Sequence, residues 1–364
     1  MFFASAILPL GWALGVLALA MLVPSLVAYG YGETDQSQVF LLSALLTAFA
    51  SGAIVIATRG VALQAPRRRE GFFSATLIWT VVPAFGALPL YQIGVVETGI
   101  DAWFEAVSGF TTTGATVIHQ LDITEYSVLI WRALMQWLGG LATIVLVVVL
   151  LSYLGGGGMQ FFRSAMPRGE RTAMSVQIVQ TLKSIGGIYC LLTILCVLLL
   201  WLAGMTVFDS VAHAFSTISG GGFSTRDASI GAFSSPLIEL VMIIFMLASA
   251  VNFTLHWAVL HGRKISTYTD DVEIRVLTGM ILMAGVTLTA IAWMSGEISG
   301  DRILAGLFMA TSTLTTSGFV SLTDNSWPVA GIMLMLMLMF TGGAAGSTSG
   351  GLKLLRFTAL IKMA

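Results

Sequence analysis

The sequence predicts an all-α polytopic membrane protein built from a repeated unit, and two observations carry that prediction. Of its 364 residues, 57% are hydrophobic and 10% are charged, whereas a soluble domain carries about 25% charged residues. Apolar runs of about 20 residues, long enough to cross a hydrocarbon layer of about 30 Å, recur along the chain. One short motif also returns three times, at intervals of about 100 residues, which indicates one structural unit used repeatedly.

The apolar runs predict a series of membrane spans. In chain order they cover 5–29, 37–58, 71–92, 126–154, 176–204, 235–260, 275–294 and 326–341, the last continuing as 352–364. The first run has no basic residue before it and its first charge is Glu33, so it is interpreted as an anchor rather than a signal peptide. Lysines and arginines concentrate in alternate loops, around 59–69, 163–171 and 263–264. The positive-inside rule then places these loops and the N-terminus in the cytoplasm.

The loops on the opposite side of the membrane are acidic. Such an arrangement raises the local cation concentration at an outer mouth. It can equally be a simple complement to basic inner loops, and the charges alone leave both interpretations open.

The repeated motif ends in a glycine, and the three equivalent glycines are Gly114, Gly222 and Gly318. Each has an alanine eight residues upstream, a serine six residues upstream and a hydroxyl residue three residues upstream. The motif closes an amphipathic segment of about a dozen residues, which is too short to cross a membrane and predicts a re-entrant half-helix followed by a glycine tip. Non-helical backbone at membrane depth is tolerated only where it is buried in protein or lines a water-filled cavity. Each unit is therefore predicted as span, half-helix, tip and span.

This order divides the chain into a leading helix pair and three units arranged pseudo-symmetrically around a pore. We assign 1–60 to the leading pair, 61–172 to the first unit, 173–265 to the second and 266–364 to the third.

The tips have the composition of an ion pathway. With the predicted orientation, the C-terminal ends of the half-helices point to a common centre, and the negative ends of their dipoles favour a cation. Backbone carbonyls can replace the water shell of such an ion, and glycine accepts the positive φ that aims them. A different explanation, in which small residues simply permit close helix packing, applies to any single tip.

A second glycine-rich segment interrupts the last apolar region. The run GGAAGSTSGG contains five glycines, each of which costs about 1 kcal/mol relative to alanine inside a helix. We therefore expect 342–351 to be non-helical at mid-membrane, although an ordinary crossing of small residues would give a similar pattern.

The chain resembles the Trk/Ktr/HKT superfamily of potassium transporters, and within it the bacterial TrkH branch. The motifs that carry the resemblance are SGFTTTGAT (Ser108–Thr116), HAFSTISGGGFSTRDASIG (His213–Gly231), TTSGF (Thr315–Phe319) and FTGGAAGSTSGGLK (Phe340–Lys353). The resemblance implies potassium uptake across the bacterial inner membrane through a four-unit carbonyl-lined filter. It also implies a homodimer that works with a cytoplasmic, nucleotide-binding regulatory subunit of the TrkA type.

The resemblance and the shared register together assign site residues. The carbonyls expected to bind potassium belong to Thr112, Thr113, Gly220, Gly221, Thr316 and Ser317, with Gly114, Gly222 and Gly318 setting the backbone. The gating loop is expected to consist of Gly342, Gly343, Gly346, Ser347, Thr348, Gly350 and Gly351. Potassium is the substrate, and no cofactor and no nucleic-acid partner are expected.

The family has four units, whereas this sequence supplies three, so we expect the fourth to be absent and the third to be incomplete. A chain with three quarters of a ring is then a fragment or truncated product, which would not support uptake by itself because unpaired polar backbone would face lipid.

Other functions remain open at this stage. One glycine per tip is compatible with a less selective sodium and potassium transporter. A secondary transporter with re-entrant loops is another alternative, although such sites direct helix N-termini at the substrate. An enzyme is not expected, because no HExxH motif or nucleophile–base pair is evident. The isolated charges Arg132, Lys183 and Glu239 are interpreted as snorkelling side chains, and Glu105 is the best candidate among the isolated charges for a vestibule or filter-supporting group.

Overall fold

The structure is a computed structural model that describes residues 2–59, 68–154, 174–262, 264–296, 302–321 and 327–363. The predicted unit boundaries near 60 and 172, and the arginines at 163, 168 and 171, lie outside these residues. Where it is described, the regular structure is helical. The helices are α1 (Phe2–Tyr31), α2 (Thr34–Ala57), α3 (Arg68–Ile93), α4 (Gly99–Phe110), α5 (Tyr126–Leu154), α6 (Met174–Leu202), α7 (Val207–Ser219), α8 (Pro236–Ala250), α9 (Phe253–Leu260), α10 (Ser266–Asp270), α11 (Val272–Ser295), α12 (Arg302–Leu314), α13 (Val329–Met339) and α14 (Leu354–Met363).

Six of the described helices are long and apolar enough to cross a membrane, namely α1, α2, α3, α5, α6 and α11. Many of their large apolar side chains are exposed, among them Leu26, Phe49 and Trp293. Such a surface suits contact with lipid rather than water. The prediction of an all-α polytopic membrane protein is confirmed.

The predicted single span over 235–260 is wrong in one respect. Its two helices, α8 and α9, meet at an angle of 99°. The break falls at Asn252, whose side chain caps α9 by accepting a hydrogen bond from the Thr254 amide at 2.9 Å. Asparagine is a favoured N-cap residue, so this side chain starts a new helix inside an otherwise apolar run.

The leading pair α1 and α2 forms a hairpin that packs against the first unit. Leu14, Leu17 and Met21 of α1 share a buried cluster with Leu90 and Trp131. Glu33, in the turn between the two helices, accepts hydrogen bonds from the Tyr126 and Ser127 amides at 2.7 and 3.1 Å. A carboxylate at the N-terminus of α5 is favourable because it faces unpaired amides and the positive end of the helix dipole.

The three half-helices α4, α7 and α12 each pack on the span that precedes them, namely α3, α6 and α11. The second and third half-helices also pack on the returning helix of the unit before, so α7 contacts α5 and α12 contacts α8. The same neighbour relation thus recurs from the first unit to the second and from the second to the third. This arrangement brings the C-terminal ends of the half-helices together.

Candidate ion pathway and its glycine-rich loop

The first two half-helices begin with the same cap. Thr98 and Thr206 each accept a hydrogen bond from the amide three residues later, that of Asp101 and Asp209, at 3.1 Å. Each threonine hydroxyl also donates to the carboxylate of the same aspartate, at 2.7 and 2.8 Å. Each of these half-helices begins at its threonine cap and ends immediately before its tip, so its carbonyl end is the one directed to the tip.

The tips repeat one backbone conformation. The final glycines Gly114, Gly222 and Gly318 have φ values of 77°, 80° and 79°. Two residues earlier, φ is again positive: 54° at Thr112, 70° at Gly220 and 57° at Thr316. Positive φ is rare for a β-branched residue and marks either strain or function. Its recurrence in one register shows that the three motifs adopt the same structure.

The same register governs the hydrogen bonds inside each tip. The amide of the residue before the final glycine donates to the serine carbonyl six residues before that glycine, at 2.9 Å in all three tips; these amides are Thr113, Gly221 and Ser317. The hydroxyls of Ser108 and Ser312 also donate to the carbonyl that follows the final glycine, at 2.6 and 2.7 Å. These bonds tie each tip to its own half-helix.

Neighbouring tips touch each other at equivalent places. A Cβ added to Gly114 would overlap the carbonyl oxygen of Gly221, and a Cβ added to Gly222 would overlap that of Ser317. In both cases the final glycine of one tip meets the residue before the final glycine of the next. The second tip is therefore placed relative to the first as the third is placed relative to the second, which is the relation expected for segments arranged around a common centre.

A cavity of about 1020 Å³ lies between the tips and the glycine-rich loop. Among the predicted site residues, those that line it are Thr112, Thr113, Thr316, Gly318, Thr348, Gly350 and Gly351. The other predicted site residues do not line it, namely Gly114, Gly220, Gly221, Gly222, Ser317, Gly342, Gly343, Gly346 and Ser347. Asp227 is an acidic residue of the same wall.

A buried ion pair supports the first tip. Arg132 Nε lies 2.7 Å from Glu105 Oε1, and their side chains are 1% and 0% exposed. Glu105 also accepts hydrogen bonds from the Thr116 hydroxyl and the Val117 amide, both at 3.0 Å. Arg132 reaches the second tip as well, where it donates to the Ser224 carbonyl at 3.2 Å. The interpretation of Arg132 as a snorkelling side chain is therefore wrong, because its charge is buried against Glu105.

The second tip has an analogous support. His213 occupies the register position of Glu105, nine residues before the final glycine. Its Nδ1 donates to the Asp209 carbonyl at 2.8 Å and its Nε2 accepts from the Ser224 hydroxyl at 2.9 Å. Asp209 in turn accepts from the Thr225 hydroxyl at 2.6 Å. The equivalent position of the third unit is the apolar Met309.

The glycine-rich segment leaves the helix after Met339 and re-enters one at Leu354. Gly342, Gly346 and Gly351 have positive φ values of 72°, 80° and 73°. The segment docks beside the bend between α8 and α9, where Ala344 donates to the Ala250 carbonyl at 2.9 Å. Its turn-rich backbone therefore lies within the helical bundle and not outside it.

Three consecutive residues of this loop touch the bases of the second and third tips. The Thr348 hydroxyl lies 3.1 Å from the Ile218 carbonyl. The Ser349 hydroxyl donates to the Thr315 carbonyl at 2.6 Å, and the Gly350 amide donates to the Thr316 hydroxyl at 2.7 Å. Behind them, Lys353 Nζ donates to the carbonyl of Ser349. The loop thus lies directly against the bases of these two tips, and loop and tips line the same cavity.

Comparison with known proteins gives a consistent result. The family model described as TrkH, cation transport protein, matches residues 36–364. The Trk system potassium uptake protein TrkH of Salmonella typhimurium is 42% identical over 300 residues, which cover 81% of this chain and 62% of that protein. The TrkH of Vibrio parahaemolyticus is 38% identical over 364 residues, which cover 98% of this chain and 75% of that protein. The chain thus spans less than two thirds of the Salmonella relative.

A solved structure has the same fold as this chain. The crystal structure of the potassium transporter TrkH from Vibrio parahaemolyticus matches with a TM-score of 0.88 at 36% identity, covering 99% of this chain and 75% of that one. These relatives are named as transporters and not as enzymes, in agreement with the prediction from the sequence. A multi-pass protein of the bacterial inner membrane is likewise the localisation that the spans and the relatives support.

Proposed function

Because the chain belongs to the TrkH family of cation transport proteins, we propose that it forms the ion-conducting part of a potassium uptake system. The observation that carries this proposal is the repeated contact between successive tips, Gly114 with Gly221 and Gly222 with Ser317. A ring of filter segments around one ion pathway requires that each segment contact the next in the same way. Tips that only filled space between helices would not need a common register.

The carbonyls of the tips are the proposed ion ligands. Those of Thr112, Thr113, Gly220, Gly221, Thr316 and Ser317 replace the water shell of a potassium ion, because oxygens on a fixed backbone lower the cost of its dehydration. The half-helices direct their carbonyl ends to the same place, which favours a cation over an anion. In the first two half-helices the N-terminal end is capped by Thr98 or Thr206 and lies at the opposite end of the helix from the tip, which argues against a secondary transporter that binds an organic anion at helix N-termini.

The loop Gly342–Gly351 is the proposed gate. Its hydrogen bonds to the Ile218 and Thr315 carbonyls support this proposal, because a segment held against the bases of the tips would block the path from the tips to the cytoplasm. Its glycines and its few tip contacts make a second arrangement accessible. A cytoplasmic regulatory subunit of the TrkA type would select between the two, and two copies of the chain would form the homodimer on which that subunit acts.

Ion uptake tests the proposal directly. The intact protein, expressed with its regulator in a bacterial strain that lacks its own potassium transporters, should restore growth on limiting potassium. In proteoliposomes the purified protein should take up rubidium, and added potassium should compete more strongly than added sodium. Equal competition by sodium would favour a less selective cation transporter, and flux of an organic anion without cation flux would overturn the proposal.

A further inference from the structure

The second tip lacks a hydroxyl that the first and third tips use. In the first tip the hydroxyls of Thr111 and Thr113 share a hydrogen bond of 2.7 Å, and in the third tip those of Thr315 and Ser317 share one of 2.9 Å. The second member of each pair is the residue immediately before the final glycine. In the second tip that position is Gly221, so the internal pair cannot form.

Backbone conformation does not explain this glycine. The φ of Gly221 lies outside the left-handed region, and Thr113 and Ser317 occupy the same register position in the other tips. A side chain is excluded for another reason: a Cβ at Gly221 would lie 2.6 Å from both Nε2 and Oε1 of Gln136. The volume that a hydroxyl side chain would occupy is therefore filled by a carboxamide from α5 of the preceding unit.

Gln136 is placed to do more than fill space. Its side chain is fully buried, and Oε1 accepts a hydrogen bond from the Phe223 amide at 3.1 Å. That bond orients the carboxamide and holds the residue directly after Gly222. Nε2 has no hydrogen-bond partner among the described residues, and a buried donor without a partner calls for an explanation.

One helical turn earlier, Arg132 contacts the same segment of the second tip. Its guanidinium carbon lies 4.1 Å from the centre of the Phe223 ring. Two polar side chains of α5, Gln136 and Arg132, thus contact Phe223 of the second tip. Met135 and Met242 occupy equivalent positions, because each contacts the residue five before the final glycine of its own unit, Gly109 and Thr217 respectively. Gln136 follows Met135, and the residue that follows Met242 is the apolar Ile243. The position of Gln136 is therefore apolar in the second unit.

We infer that Gln136 is a positioning residue for ion selection, whose carboxamide replaces in the second tip the hydroxyl that the first and third tips carry themselves. This inference rests on the proposed potassium uptake, and it adds a residue outside the tips to the filter. It also accounts for the glycine at position 221, because a side chain there and the carboxamide of Gln136 compete for one volume.

A double-substitution experiment tests the exchange. Gly221→Ser alone should collide with Gln136, and Gln136→Ala alone should leave the second tip unsupported. Each should lower the preference for potassium over sodium by about tenfold, which corresponds to about 1.4 kcal/mol for each single substitution. The combined variant, in which the serine hydroxyl returns to the register position of Thr113 and Ser317, should recover most of the loss.

Gly222→Ser provides the matched control. Its Cβ would overlap the Ser317 carbonyl and not Gln136, so Gln136→Ala should not rescue it. Rescue of Gly222→Ser to the same extent as Gly221→Ser, or a combined Gly221→Ser variant no better than the worse single variant, would overturn the inference.

A second readout separates this inference from the proposed function. The thermal unfolding midpoint of the purified protein should follow the same pattern, falling in Gly221→Ser and rising again when Gln136→Ala is added. If the unsubstituted protein does not take up potassium, the proposed function fails while the midpoints still report on the exchange. If it does and the ion preference of all variants is unchanged, the assignment of Gln136 to ion selection is wrong.

Discussion

The three tips and the glycine-rich loop are both non-helical chain within the bundle, but they are held in different ways. Each tip is tied to its own half-helix by repeated bonds such as those from Thr113 and Ser317 to the serine carbonyls. The first two tips are also braced from behind by Glu105 and His213. The loop instead reaches the tips through a few contacts of single residues, chiefly Thr348 and Ser349.

This difference agrees with the two roles proposed for the tips and the loop. A filter must keep its oxygens at fixed positions, because ion selection depends on their geometry and field. A gate must exchange one arrangement for another, which requires that the two differ by only a few kcal/mol. Buried charges and bonds within each unit suit the first task, and a glycine-rich segment with replaceable contacts suits the second.

The largest expected effect comes from removing one member of the buried ion pair. Arg132→Met leaves the Glu105 carboxylate buried without its cation, which costs about 3–5 kcal/mol. We expect much less folded protein after solubilisation and a clearly lower thermal unfolding midpoint. Combining Arg132→Met with Glu105→Leu should recover part of the stability, since replacing both partners by apolar groups is often nearly neutral. A single variant as stable as the unsubstituted protein would show that the pair does not brace the tips.

A smaller effect, confined to ion preference, is expected from the final glycine of the second tip. Gly222→Ser must adopt a φ of 80° and displace the Ser317 carbonyl, so the ratio of potassium to sodium uptake should fall by about tenfold, or roughly 1.4 kcal/mol. Gly220→Thr is the matched control: its φ of 70° is close to that of the threonines at the equivalent positions, Thr112 and Thr316. Equal ion ratios in the two variants would contradict the role given to the register.

The smallest effect should come from a single contact of the loop. Ser349→Ala removes the hydrogen bond to the Thr315 carbonyl, which contributes about 1 kcal/mol, and should raise uptake without the regulator by about fivefold. Ser347→Ala is the control, because the Ser347 hydroxyl bonds within the loop to Ala344 at 2.7 Å. Rubidium uptake into cells that lack the regulator measures both. A rise in Ser347→Ala as large as that in Ser349→Ala would mean that general loosening, and not the contact with the tip, is responsible.

Sequence reasoning found the six long spans of the described residues, the half-helices and the register of the tips, because composition, segment length and an internal repeat encode them directly. It did not find the partner of Glu105, since Arg132 is 27 residues away and a single arginine in an apolar helix looks the same whether it snorkels or is buried. The contact of Gln136 with the second tip is not predicted for a similar reason, because one amide in a span has no periodic signal. The bend at Asn252 did have one, because a capping residue within an apolar run favours the start of a new helix.

Shortening the loop tests most directly whether filter and gate are separate parts of one pathway. A variant that lacks Gly346–Ser349 loses the contacts with the Ile218 and Thr315 carbonyls but keeps all the bonds within the tips. Uptake of rubidium, with potassium and sodium as competitors, should be measured in cells without the regulator and at matched expression. The separation predicts uptake that no longer needs the regulator, with an unchanged ratio of potassium to sodium. Loss of uptake with the protein intact, or a ratio that falls to one, would contradict it.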